Sequence, residues 1–358
     1  MENRLERILQ RALDLKASDI HLKVGAPPAL RVLGDITFLE DEYPITTEEL
    51  KTMIFPFIKP QFIKVFEENG ELDFAFEMER KVRLRGNLYL QRGTLALALR
   101  IIPLQVPSFE ELNLPLTIQN LVSKKSGLIL VTGPAGSGKS TTLAAMIDFL
   151  NMNYKLKIIT IEDPIEYIFK DKNSFITQRE IRLDTKSYST ALKMALREDP
   201  NVIMVGELRD LETISVALQA AETGHLVLST IHTTDTTITI ERIIDSFPPH
   251  QQHQVRIQIS NVLQGIISQR LLKRKDRKGL IPACEILVGT LAVRKAIREE
   301  RTNEIPKIIE ASKVDGMQSF NQHLAELYFN KLISDEEALN ASPSPQDLKL
   351  LLRGITQS

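Results

Sequence analysis

Leu128-Ile129-Leu130-Val131-Thr132-Gly133-Pro134-Ala135-Gly136-Ser137-Gly138-Lys139-Ser140-Thr141 is the stretch on which the fold turns. Its apolar opening reads as a buried strand. Gly133 to Ser140 then matches the phosphate-loop pattern, a glycine, four residues, and Gly-Lys-Ser, in the strand-to-helix context that pattern requires. The glycines allow successive backbone N–H groups to turn inward around phosphate oxygens, and the helix start adds positive potential. Lys139 neutralises β/γ charge and Ser140 can ligate magnesium. A chance match in a chain of this length is on the order of one in a hundred, so an ordinary glycine turn competes weakly.

Outward from the loop, Lys157–Ile161, Val202–Val205 and Leu226–Thr230 are further short apolar runs of buried-strand type. Helical segments separate them. Leu211, Ile214, Leu218 and Ala221 form one helical stripe, and Gly224 follows where a left-handed cap is favoured. This alternation predicts an α/β fold with a mainly parallel sheet covered by helices. Val202–Val205 runs into Gly206-Glu207, which makes Glu207 the first acidic candidate, with a solvated strand-end glutamate as the competing reading. Glu162-Asp163-Pro164-Ile165-Glu166 clusters three carboxylates after another strand; one of them could orient a water, or the cluster could be a turn. His225 and His232 bracket a strand. Each can bond a phosphate or a carboxylate, or be structural.

The amino-terminal part has a different grammar. Leu5, Ile8, Leu9 and Ala12 recur at helical spacing, short strands follow around Pro27-Pro28 and Gly34-Asp35, and Thr46 with Glu49 forms a capping box. Leu72, Phe74, Phe76 and Met78, then Val82, Leu84, Leu88 and Leu90, alternate with polar partners and predict an antiparallel sheet with one buried face. Arg83 and Arg85 project to one face of that sheet. Pro103, Pro107 and Pro115 mark a linker, and from Leu291 the chain reads as helices. The expected organisation is an α+β domain over 1–102, a linker over 103–118, a P-loop core over 119–290 and a helical region over 291–358.

Composition narrows the function. The 358 residues carry 45 Lys+Arg against 46 Asp+Glu, so no global basic field points to nucleic acid. The opening Met1-Glu2-Asn3-Arg4 is charged, and no apolar run reaches membrane-spanning length. A cytoplasmic protein with no membrane span is expected. Cys284 is the only cysteine, which excludes an internal disulfide and a cysteine-cluster zinc site.

Taken in order, Gly133 to Thr141, Ile161 to Tyr167, Leu196-Arg197-Glu198-Asp199-Pro200 with Gly206-Glu207-Leu208-Arg209-Asp210, and Thr223-Gly224-His225 through His232-Thr233 resemble the Walker A, Asp box, Walker B and His box of the secretion and pilus ATPases. The likeness extends to Ala283-Cys284-Glu285-Ile286-Leu287 and covers almost the whole chain. Two features resemble the PilT-type retraction motors within that family: a start directly in the small α+β domain, and the absence of a four-cysteine zinc element. Ala292-Val293-Arg294-Lys295-Ala296-Ile297-Arg298-Glu299 is similar to their helical retraction motif, Ala-Ile-Arg-Asn-Leu-Ile-Arg-Glu, with three departures.

The resemblance implies a RecA-like P-loop NTPase core preceded by a PAS-like domain, a homohexameric ring, and ATP hydrolysis coupled to domain rotation during pilus retraction. Gly133, Pro134, Ala135, Gly136, Ser137, Gly138, Lys139, Ser140 and Thr141 would bind the nucleotide. Lys139, Glu162 and Glu207 would be catalytic, with Ser140 and Glu207 serving Mg2+ partly through water; base and metal roles of the two glutamates stay open. His225 and His232 would sense the nucleotide, while Arg83, Arg85, Arg197 and Arg209 are candidate arginine contacts. Implied partners are other copies of the chain, an inner-membrane pilus platform protein and a second retraction ATPase, at the cytoplasmic face of the inner membrane. An assembly or secretion ATPase, a nucleotide-regulated assembly protein and a RecA-like nucleic-acid motor are the competing functions.

Overall fold

Leu5, Ile8, Leu9 and Ala12 lie on one stripe of the first helix and are all buried, because a helix repeat of 3.6 residues gathers positions three and four apart onto one face. That helix opens the protein's computed structural model, which describes residues 4–78, 82–103, 105–276 and 279–354. Met1 to Asn3, Leu104 of the expected linker and the last four residues of the helical region lie outside the described residues.

The chain divides into two compact units, one of residues 1–105 with Pro164–Ile168 and one of Val106–Asp163 with 169–358. The first unit contains α1 (Arg4–Asp14), β1 (Asp19–Lys23), β2 (Ala29–Val32), β3 (Asp35–Phe38), α2 (Thr47–Ile54), α3 (Pro60–Asn69), β4 (Glu71–Met78), β5 (Val82–Gln91) and β6 (Thr94–Pro103). Its sheet runs β3-β2-β1-β6-β5-β4, and every neighbouring pair is antiparallel. Thr46 and Glu49 close the expected capping box at the start of α2. Leu72, Phe74, Phe76 and Met78 are buried as their alternation predicts. Phe74 faces Gly86 across the sheet, and a Cβ at Gly86 would meet the Phe74 ring at 2.6 Å. Leu90 departs from the pattern: it is 50% exposed, because β4 ends its pairing at Tyr89 and leaves Leu90, still paired with Leu95 of β6, beyond its end.

The second unit contains α4 (Leu116–Val122), β7 (Gly127–Thr132), α5 (Lys139–Asn153), β8 (Lys157–Glu162), β9 (Phe175–Glu180), α6 (Tyr188–Ala195), β10 (Val202–Val205), α7 (Leu211–Glu222), β11 (Leu226–Ile231), α8 (Thr236–Asp245), α9 (Pro249–Val262), β12 (Leu263–Lys273) and β13 (Leu280–Val288). The helices α10 (Leu291–Arg298), α11 (Ile305–Ala311), α12 (Phe320–Phe329), α13 (Asp335–Ala341) and α14 (Pro345–Leu352) follow. Strand order is β13-β12-β7-β11-β10-β8-β9, parallel except for β13. All residues of β7, β10 and β11 are buried, as a sheet covered on both faces requires. The four anticipated strands are β7, β8, β10 and β11; β9, β12 and β13 are additions. Phe109 and Leu114 of the proline-rich segment are buried in this unit, Phe109 edge-on to Phe149 at 5.4 Å. Among the described residues no helix is long and apolar enough to cross a membrane.

Candidate nucleotide site

β7 delivers Thr132 to the carboxyl edge of the sheet, where its hydroxyl and that of Ser268 on β12 share a hydrogen bond of 2.7 Å. The loop then turns sharply. Gly133 has φ +142°, and a Cβ there would lie 2.3 Å from the Gln269 carbonyl oxygen and 2.5 Å from Ser137 Oγ, so only glycine fits. Pro134, Ala135 and Gly136 are exposed at the loop's crest, while Ser137 is buried and its Oγ has no partner among the described residues. Gly138, at φ +87°, caps α5. The buried Lys139 donates from Nζ to the carbonyls of Gly133 at 2.9 Å and Pro134 at 2.8 Å, which draws its ammonium over the loop. Ser140 is exposed in the first turn of α5 and Thr141 is half-buried beside it.

The acidic candidates reach the same edge. Val205 pairs with Ile161 in parallel register and the Gly206 amide donates to the Ile161 carbonyl at 2.8 Å, which sets Glu162 and Glu207 on neighbouring strand ends. Glu162 is buried and its Oε1 accepts from Thr160 Oγ1 at 2.8 Å and Gln178 Nε2 at 3.3 Å. Glu207 Oε2 lies 2.7 Å from Arg209 Nε and 3.6 Å from His232 Nε2. Burial and the Lys139 charge hold the His232 imidazole below its ordinary range, with Glu207 opposing and Arg209 adding to the shift. Tyr188, which opens α6, is pushed above the usual phenol range by burial and by the charges of Glu207, Asp163 and Glu162. A cavity of about 170 Å³ adjoins His232 and Arg209, walled by Leu208, Ile214 and Ile231.

Two candidates are not brought to this edge. His225 precedes β11 and His232 follows it, and a strand of that length separates them by about 20 Å. His225 Nδ1 instead lies 3.0 Å from the Ala220 carbonyl and 3.2 Å from Thr223 Oγ1, closing the end of α7. Arg197 is exposed ahead of β10, at the opposite end of that strand from Glu207. In the first unit Arg83 Nε donates to the Ile165 carbonyl at 2.8 Å and Arg85 Nη1 to Glu166 Oε1 at 3.1 Å, from one face of β5 as the alternation predicts.

Sequence reading missed Tyr188 and Gln269. Tyr188 sits just after Ser187, whose hydroxyl caps α6, but no motif ties it to the carboxylates. Gln269 lies on a strand that the apolar pattern did not reveal. The retraction-like motif also has a local explanation: Arg294 donates to the carbonyls of Gly289 at 2.7 Å, Ser260 at 2.9 Å and Leu263 at 2.9 Å, and to that of Asn261. Its guanidinium caps α9 where that helix passes directly into β12.

Known proteins resemble this chain over most of its length. Residues 69–326 match the model of the type II/IV secretion system protein family. The chain is 43% identical over 331 residues to the type IV pilus retraction ATPase PilT of Pseudomonas aeruginosa, covering 92% of this chain and 96% of that protein. It is 37% identical over 348 residues to the type IV pilus ATPase PilU of the same organism, covering 97% of this chain and 91% of the other. A crystal structure of the pilus retraction motor PilT with bound ADP superimposes with a TM-score of 0.86 at 49% identity, covering 98% of this chain and 99% of that one. The chain belongs to the type II/IV secretion system protein family, among its PilT-type pilus retraction ATPases.

Proposed function

We propose that this ATPase works as a homohexameric ring at the cytoplasmic base of a type IV pilus, bound to an inner-membrane platform protein. There it converts ATP hydrolysis into domain rotation that returns pilin subunits to the membrane. The observation that carries the reading is the convergence of the Lys139 loop, Glu162 and Glu207 on one edge of the parallel sheet. Matching relatives include both PilT and PilU, which supports a second retraction ATPase as a further partner.

In this reading Gly133 to Thr141 bind the nucleotide phosphates. The buried Ser137 Oγ, unpartnered among the described residues, is a donor that a phosphate oxygen would satisfy. Magnesium fits the donors present: Ser140 offers a hydroxyl, Glu207 a carboxylate, and both are the hard oxygen ligands this ion prefers alongside water and phosphate. Held by Ser140 and Glu207, the ion would supply positive charge to offset that of the nucleotide phosphates. Glu207, held by Arg209, positions the attacking water, and Glu162 orders the adjoining strand end. Nucleotide sensing falls to His232, which shares the edge with Lys139 and Glu207, rather than to His225.

The test is a count of surface pili with surface motility in a host lacking the gene and in one carrying Lys139→Ala. Excess pili with lost motility is the expected result. Bald cells would make this an assembly ATPase.

A further inference from the structure

Gln269 lies on β12 and is 2% exposed, yet its side chain is polar and spends both ends on the phosphate loop. Its Nε2 donates to the Ser137 carbonyl at 2.7 Å, and its Oε1 accepts from Thr142 Oγ1 at 2.8 Å. The orientation of the amide is settled by chemistry: a carbonyl oxygen only accepts, so the NH2 end must face Ser137, and the Thr142 hydroxyl must donate to the other end. The fit is tight, since a Cβ at Gly138 would lie 2.7 Å from Nε2.

A trans peptide points its C=O and the following N–H in opposite directions. Fixing the Ser137 carbonyl toward β12 therefore turns the Gly138 N–H the other way, toward the hollow of the loop. We infer that Gln269 is a positioning residue for phosphate binding: its carboxamide, latched by Thr142, sets the Ser137–Gly138 peptide so that the Gly138 amide meets the nucleotide phosphates. It acts through the loop backbone rather than by touching the nucleotide. This inference rests on the reading of the loop as an ATP site. Because the amide contact is made in both the ground state and the transition state, its loss should weaken binding more than it slows the chemical step.

The experiment titrates a fluorescent ADP analogue with magnesium into the full-length chain and measures kcat and KM for ATP. Gln269→Leu, which keeps the bulk and removes both hydrogen bonds, should raise the ADP Kd about tenfold, with KM rising in parallel and kcat within about threefold. Gln269→Glu at pH 8 sets a carboxylate oxygen against the Ser137 carbonyl and should bind at least as weakly. Thr142→Val, which only releases the latch, should raise Kd by about threefold and serves if the first variants do not fold. A purely structural role for Gln269 would lower the thermal midpoint without nucleotide and leave Kd and KM alone. Variants that bind ADP within twofold of wild type while Lys139→Ala does not bind would overturn this inference and leave the ATP site standing. A wild-type chain that binds no ADP would overturn both.

Discussion

At the residue scale, Glu207 carries the sharpest expectation. Its carboxylate is held between Arg209 and His232 at the strand edge next to Glu162. Glu207→Gln keeps the shape and a hydrogen-bond acceptor for Arg209 but removes the negative charge that would position or deprotonate water. Hydrolysis should fall by about 100-fold or more while ADP affinity stays within about threefold. Phosphate release and nucleotide titration on the same preparation check this, and parallel loss of both would make Glu207 a binding residue. Lys139 and Glu207 were legible because the chemistry of a phosphate loop and of a strand-end carboxylate is written in contiguous residues. The two histidines were not separable by motif, though strand geometry distinguishes them: seven positions along an extended chain carry His225 to the far edge. Tyr188 and Gln269 reach the site only through folding of distant segments, and nothing in their own surroundings announces it.

Elements show where periodicity suffices and where it fails. Strands β7, β8, β10 and β11 were visible as apolar runs between helices, since a strand buried on both faces has little room for polar residues. β12 was hidden because it follows α9 without an intervening turn and places Ser268, Gln269 and Arg270 inside a sheet. Arg294 stabilises that junction. Replacing it with alanine strips charge-assisted donors from several carbonyls and should cost about 2 kcal/mol in urea unfolding; Arg294→Lys should recover little, because one ammonium cannot span them. A second test concerns α12, where the Cys284 amide on β13 donates to His323 Nδ1 at 2.9 Å. Burial lowers the His323 pKa to about 4 from an ordinary 6.5. Above pH 6.5 both folded and unfolded forms are neutral. Between there and about 4 the unfolded chain binds a proton that the native imidazole refuses, so stability falls as pH falls, by about 3 kcal/mol in all. His323→Asn, which retains an acceptor for Cys284, should lose correspondingly less between pH 7 and pH 4.5 in denaturant titrations; equal losses would remove His323 as the cause.

At the scale of the whole molecule, the sequence switches from alternating strands to strand-helix repeats, and the chain divides into two compact units. What no periodicity could give is that Pro164–Ile168, flanked on both sides by segments of the second unit, belongs to the first unit. A short loop has no repeat to read, and its allegiance is decided by side chains more than 80 residues away, Arg83 on Ile165 and Arg85 on Glu166. The chain passes from Glu162-Asp163 of the second unit directly into this loop. The covalent chain therefore joins the first unit to the strand end that bears Glu162 through Asp163 alone. Arg85→Glu should disturb that tether by like-charge repulsion with Glu166, reducing ATP hydrolysis by about threefold or more, while the cost in stability stays below about 1 kcal/mol because the pair is only partly buried. Glu166→Arg alone should act in the same direction, and the double reversal should restore most of the rate by remaking the pair with its charges exchanged. ADP affinity should change little in all three, since the loop at Gly133 to Thr141 is untouched. Additive losses in the double variant would show that the two side chains act on hydrolysis separately and not as a pair, whereas unchanged rates in all three would make the loop an attachment of the first unit with no bearing on hydrolysis.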